Sequence, residues 1–302
     1  METDSTSSNA NSTAERDRAR SAAWFISGDK LSPSPFARDL FQRYSRIPAD
    51  NIAAHIIAVR EKAWKVYPYP CIGSFRFLDF AIVESPIYET VLERLKNGAK
   101  YLDLGCCFAQ DLRALVHAGV PSENLFGADL QSDFLELSYE LFNDKDSLKS
   151  TFYNGDIFDL TSFQLATSGI PNPVPFQKLV GDVDILSARS FLHLFGQEQE
   201  FKAACQMVEI MKDKEGSIIM GRQVGSHEPG FHSISLGRRE VFRHNPETWK
   251  GLWRRVGEAT NTKWDVQAHL VDIGAEFRDS IQSAELADIK GRAWLEFVIT
   301  KL

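Results

Sequence analysis

The sequence predicts an α/β fold. It is expected to form a mostly parallel sheet with an antiparallel final strand, preceded by an N-terminal helical cap. Three observations carry this. From Lys100 onward, short apolar strands alternate with helical segments, the pattern of βαβ units. Aspartates recur at strand ends, at Asp103, Asp129, Asp156 and Asp184, close to the about 30 residues that a strand and its crossover occupy. The last two strand-like runs, Trp264–Leu270 and Trp294–Thr300, lack a helical crossover of ordinary periodicity between them, so the final strand reads as antiparallel.

The elements follow in order. Residues 1–20 are Ser, Thr, Asn, Ala and charged residues without an aromatic among them. Such a stretch buries too little apolar area to offset its ordering entropy, and it reads as a disordered tail. Residues 21–85 form the cap or lid. In it Phe36, Leu40, Phe41 and Tyr44 fall at helical spacing, as do Ile52, Ile56, Val59 and Ala63. The run Tyr67-Pro68-Tyr69-Pro70-Cys71-Ile72-Gly73 breaks helix and turns the chain. Residues 86–302 carry the sheet. Strands are expected at 101–104, 125–129, 150–154, 183–187 and 217–220, and helices at 86–97, 111–117, 134–142, 197–211 and 249–260.

Composition narrows the function. The 302 residues carry a net charge of −7 and no basic block, against a phosphate-tracking nucleic-acid binder. No apolar run approaches the roughly 18 residues of a membrane span, and the N-terminus lacks a signal core. Cys71, Cys106, Cys107 and Cys205 form no C-x-x-C pair, so reduced thiols in a cytoplasmic protein are expected rather than a disulfide framework or zinc site. His227 and His232 are five apart across Pro229 and Gly230, where a helical zinc motif needs four. No metal is expected.

The strand-end carboxylates should line one edge of the sheet, where ligands bind in such folds. The first loop, Gly105-Cys106-Cys107-Phe108-Ala109, has one glycine where a dinucleotide fingerprint needs three, so a nucleoside without a diphosphate fits better. Asp129 ends the second strand, where a carboxylate can accept from both ribose hydroxyls. Asp156 with Ile157 can accept from an adenine amino group and pack its ring.

This constellation resembles the class I S-adenosylmethionine-dependent methyltransferases, with their Rossmann-like sheet. The resemblance implies S-adenosyl-L-methionine as cofactor, with Asp103, Gly105 and Cys106 beneath its methionine part. It likewise implies Asp129 and Leu130 at the ribose, Asp156 and Ile157 at the adenine, and Ser187 beside the methyl donor. The loop departs from the family by its two missing glycines. Trp64 through Phe77, Gly221-Arg222-Gln223-Val224-Gly225, and Phe242 through Trp249 are similar to fungal meroterpenoid-pathway methyltransferases. Members of that group methylate the carboxyl of a prenylated aromatic acid.

A carboxylate acceptor is ionised at neutral pH and needs no base, but it needs a cation to orient it. Arg222 and Arg76 are the first candidates, Arg189 and Arg243 the next. Trp64, Tyr67, Tyr69, Phe75, Phe191 and Phe195 are expected to supply an apolar wall for the prenyl tail. His193, after the fourth strand, is expected to position the acceptor, or to act as a base if the acceptor is a hydroxyl. Two other functions compete: an S-adenosylmethionine-binding cyclase or scaffold that transfers no methyl, and an NAD(P)-dependent oxidoreductase, which the loop disfavours. The cap helices could cover their own subunit's pocket or reach a partner in a homodimer.

Overall fold

The computed structural model describes residues 20–22, 25–166, 173–234, 239–273 and 291–302. The expected tail at 1–19 lies outside the described residues. Arg20, at the end of that expected tail, pairs with Glu61 at 2.5 Å.

The cap begins with α1 (Pro35–Asp39), which runs into a π-helical turn at Leu40–Tyr44, followed by α2 (Ile52–Val66) and the single turn α3 (Pro70–Gly73). Along α2, Ile52, Ile56, Val59 and Ala63 are buried at successive turns of one face. That face packs on α6 (Ser132–Phe142). The buried Arg60 ties the cap together: its Nη1 donates to the carbonyls of Ile26 at 3.0 Å and Gly73 at 3.3 Å, and its guanidinium lies 4.3 Å from the Phe75 ring centre. One hydrophobic core runs without a break from Phe41, Ile56 and Trp64 of the cap to Phe108, Phe134 and Ile185 of the sheet domain.

After α4 (Tyr88–Lys96), the sheet is built from β1 (Tyr101–Leu104), β2 (Leu125–Asp129), β3 (Thr151–Asp156), β4 (Asp159–Leu165), β5 (Ile185–Ser187), β6 (Ile218–Ser226), β9 (Trp264–Asp272) and β10 (Arg292–Lys301). A separate hairpin joins β7 (Gly230–Ile234) to β8 (Arg239–Arg243). The eight strands run in the order β4-β3-β2-β1-β5-β6-β10-β9. Pairs among β1, β2, β3, β5 and β6 are parallel. The final strand, β10, is antiparallel to both neighbours, β6 and β9. The crossovers are α5 (Gln110–His117), α6 and α7 (Gln197–Ile210), with α8 (Pro246–Thr260) before β9. A second core, centred on Trp249 and Trp253, covers the face away from the cap.

The β7–β8 hairpin is absent from the expected elements, and three further features depart from them. β6 runs to Ser226, well past Met220, because β10 pairs with it along its whole length. β3 continues to Asp156 and folds back into β4, a strand absent from the sequence reading. α8 starts at Pro246, three residues early, because Asn245 and Thr248 form a reciprocal cap: Thr248 N–H donates to Asn245 Oδ1 at 2.9 Å and Asn245 N–H to Thr248 Oγ1 at 3.1 Å. Among the described residues, no helix is long and apolar enough to cross a membrane.

Candidate active site

The carboxyl ends of β1, β2, β3 and β5 form one edge. The chain leaves β1 through Gly105, whose φ of +71° is left-handed and whose N–H donates to Ala128 O at 2.8 Å. Cys107 and Ala109 stand where the family pattern has glycine, yet both are also left-handed, at φ +51° and +48°. The loop thus keeps a glycine-like path at the cost of about 1 kcal/mol or more for each of these residues.

Asp129 holds that path. Its Oδ2 accepts from Cys107 N–H at 2.8 Å and its Oδ1 from Gln131 N–H at 2.9 Å. Burial raises its carboxyl pKa, against the pull of these backbone donors. Each oxygen accepts one bond and retains acceptor capacity for a diol. Leu130 beside it is 62% exposed, an apolar side chain set at the rim of the edge. Asp156 is exposed, and its Oδ1 accepts from Phe158 N–H at 3.0 Å within the turn into β4. Ile157 is buried, while Phe158 presents its ring outward. A carboxylate with free acceptor capacity, flanked by exposed Leu130 and Phe158, suits a ribose and a purine, so the edge fits the nucleoside of the expected cofactor.

Asp103 and Ser187 face each other across β1 and β5, both buried. Burial, reinforced by neighbouring Asp111, pushes the Asp103 carboxyl well above the usual range. Cys106 is buried, and burial raises its thiol well above the ordinary value.

The residues expected at the acceptor fall at separate places in the fold. Trp64 is enclosed in the cap core, edge-on to Phe25 with ring centres 5.0 Å apart. A ring so enclosed packs the cap and offers no wall to a ligand. Tyr69 lies near the carboxyl end of β2. Its ring centre is 6.0 Å from that of Phe134, in the first turn of α6 after Asp129. Burial, then Asp129, pushes its phenol up to about 12. Tyr67 packs on Tyr69 at 4.3 Å. Phe191 packs on Gly105: a Cβ at Gly105 would fall 2.6 Å from its ring. His193 sits half-buried on a 3-10 turn, Leu192–Leu194, outside the cavity described next. Arg243 is buried on β8, 3.4 Å from His232.

A cavity of about 320 Å³ lies between residues 81–87 and the sheet, bounded by Asp111, Ser187, Arg189, Met220, Arg222 and Glu296 among others. At its side, three guanidiniums converge on one carboxylate oxygen. Asp79 Oδ2 lies 3.4 Å from Arg76 Nε, 3.3 Å from Arg189 Nη2 and 3.6 Å from Arg222 Nη2. The Trp294 ring lies under both Arg76, at 4.1 Å, and Arg222, at 5.1 Å. Glu296 and Glu84 stand 3.8 and 3.9 Å from Arg222, beyond hydrogen-bond reach. Burial, and then the charges of Arg189 and Arg76, lower the Arg222 pKa to about 10. Arg222 Nε and Arg189 Nη1 are buried without a hydrogen bond among the described residues. Sequence reasoning missed Asp79, Asp111, Glu296 and Trp294. Only the fold brings them to the arginines.

Comparison with known proteins agrees with this architecture. A family profile described as "Meroterpenoid methyltransferase N-terminal domain" matches residues 24–78. O-methyltransferase phiE of a fungal species is 38% identical over 277 residues, 90% of this chain and 87% of that one. The asnovolin E/chermesin D methyltransferase nvfJ of Aspergillus novofumigatus is 36% identical, covering 76% of this chain and 79% of its own. Among solved structures, phosphoethanolamine N-methyltransferase 2 of Haemonchus contortus, in complex with S-adenosyl-L-methionine, shares the fold at a TM-score of 0.50 and 15% identity, over 88% of this chain and 60% of that one. With that identity to phiE over most of both chains, the protein belongs to the meroterpenoid-type O-methyltransferases of these fungal relatives, and its sheet has the class I methyltransferase fold.

Proposed function

We propose that this methyltransferase esterifies the carboxylate of a small terpenoid or polyketide acid, with Arg222 and Arg189 orienting the carboxylate. The observation that carries the reading is the pair of buried guanidinium donors, Arg222 Nε and Arg189 Nη1, that make no hydrogen bond to the described residues at the margin of the cavity. Buried donors normally have partners, and a carboxylate fits planar guanidinium geometry best.

Asp129, Leu130, Ile157 and Ser187 would hold the cofactor, with Tyr69 closing the ribose side from the cap. The cofactor supplies an electrophilic methyl group on a sulfonium. The chain's residues then have two tasks. They align the acceptor oxygen, which is worth most when the reacting atoms sit near 3–3.5 Å apart. They also keep water out, because a reaction that consumes one positive and one negative charge gains from a dry site. No base is required, since the acid is ionised at pH 7. The arginines must hold the carboxylate without quenching it: an interaction stronger in the ground state than in the transition state slows the step. Guanidiniums already sharing Asp79 at 3.3–3.6 Å suit such a moderate grip.

The test is product chemistry. Incubation with S-adenosylmethionine and a panel of hydroxylated, prenylated aromatic acids should give a product heavier by one methyl that mild alkali returns to the acid. A methyl that survives alkali, as an ether or a carbon-bound group does, would overturn the carboxylate assignment.

A further inference from the structure

We propose that Phe191 gates the donor groove: its ring must turn off Gly105 before the cofactor's amino-acid end can settle, and the ring therefore holds donor affinity down. The inference rests on the reading of Gly105, Asp129 and Ser187 as donor site.

The geometry begins at Gly105. It follows β1 directly, and β1 is paired with β5 so that Asp103 faces Ser187. Anything lying along the loop between these two strand exits runs past Gly105. The Phe191 ring already does so: its Cδ2 is 2.6 Å from where a Gly105 Cβ would stand. The ring is thus packed onto bare backbone, and its residue is only 9% exposed. From there an aromatic chain crosses the edge. Phe195 meets Phe191 edge-on at 5.2 Å, and Phe158 meets Phe195 edge-on at 5.1 Å. The inner end of the chain touches the β1 loop and the outer end, at the turn after β3, faces solvent.

The backbone beneath the ring is pinned. Ser190 is left-handed at φ +51°, and its N–H donates to the carbonyl of Arg222 at 2.7 Å. Ala188 N–H donates to Met220 O at 2.9 Å. With the main chain fixed to β6, the cheapest way to clear Gly105 is rotation about the Phe191 side-chain bonds. The population with the ring turned away sets apparent affinity, since a ligand that binds only the open state binds more weakly by the fraction that is closed.

This gives an unusual sign. A ring that serves as a wall loses affinity when cut back, whereas a ring that bars the groove gains it. An edge-to-face aromatic contact is worth enough to change affinity about threefold to tenfold. Calorimetry with S-adenosylhomocysteine on the full chain should show Phe191→Ala binding about threefold to tenfold more tightly than wild type. Phe191→Leu should shift the same way by less, and it serves if the alanine variant does not fold. Asp129→Ala is the reference for the site itself and should weaken binding. Equal or weaker binding by the Phe191 variants, with Asp129→Ala weakened, overturns the gate and leaves the donor site standing. Unchanged binding by Asp129→Ala removes the donor-site reading and the gate with it.

Discussion

Arg222→Gln separates stability from catalysis. Among the described residues, Arg222 makes no close hydrogen bond through its guanidinium. Its three ion-pair distances are 3.6, 3.8 and 3.9 Å, and Asp79 and Glu84 are partly or largely exposed, so screening leaves each contact worth little. Against those gains stands the burial of its own charge beside Arg189 and Arg76, which lowers its pKa to about 10. Glutamine removes a repelled charge and keeps part of the stem that packs on Trp294. Folding stability should therefore stay within about 1 kcal/mol of wild type, a change of a few degrees or less in melting temperature. Acceptor binding should behave oppositely. Loss of a charge-assisted hydrogen bond to a carboxylate costs about 1.5–3 kcal/mol, which is roughly tenfold to a hundredfold in kcat/KM. Steady-state kinetics with an acid that the wild type esterifies, read beside thermal unfolding, tests both halves. A kcat/KM within twofold of wild type would take Arg222 out of the acceptor site. A large drop in melting temperature would make it a structural residue instead.

Other expectations are independent of that one. Turnover of the acid should stay flat from about pH 6 to 8, because a carboxyl of pKa near 4 is ionised throughout; a rise of roughly tenfold per pH unit would indicate a phenol and a missing base. Tyr69→Ala should weaken S-adenosylhomocysteine binding, by about tenfold at most, and leave the KM for the acid nearly unchanged, which calorimetry and kinetics separate; the reverse would return Tyr69 to the acceptor. Asp144→Asn should destabilise the fold by about 3–5 kcal/mol, since it leaves the fully buried Arg113 without its bidentate carboxylate, now at 2.9 and 3.1 Å. Chemical denaturation checks this, and a loss under 1 kcal/mol would refute it.

The strands of the sheet's carboxyl edge were legible as short apolar runs, but their aspartates do not share one place: Asp129 and Asp156 end β2 and β3, Asp103 lies within β1, and Asp184 precedes β5 at the opposite end of the sheet, where it accepts from Lys100 N–H and Lys212. β4 was not legible, because Asp159–Leu165 is exposed along most of its length and so lacks an apolar repeat. The β7–β8 hairpin was not legible either: it begins at Gly230, in a stretch whose two histidines were read only against a metal motif. Asp129 was legible as a strand-end carboxylate, but its grip on Cys107 N–H was not: that bond spans 22 positions. The surroundings of the aromatic residues were the least legible. Sequence shows that Trp64, Tyr69 and Phe191 are large and apolar, but it does not show which surface each one meets. The arginine cluster was half visible. Arg76 and Arg222 stood out, whereas Asp79 and Trp294, which fix their geometry, reach them only through the cap fold and the pairing of β10 with β6.

The unbroken core between cap and sheet sets a rule for exchanging parts among relatives. A sequence profile marks 24–78 as a module, yet Phe41 stacks on Phe142 at 5.5 Å and Tyr44 O–H donates to Asp144 across 2.7 Å. Transplanting that module alone would therefore pair foreign knobs with native holes where the Leu40–Tyr44 turn and α2 meet the α6 region. A workable chimera has to carry Ser132–Phe142 and Asp144 along with the N-terminal piece, so the natural unit of recombination in this family is discontinuous in sequence.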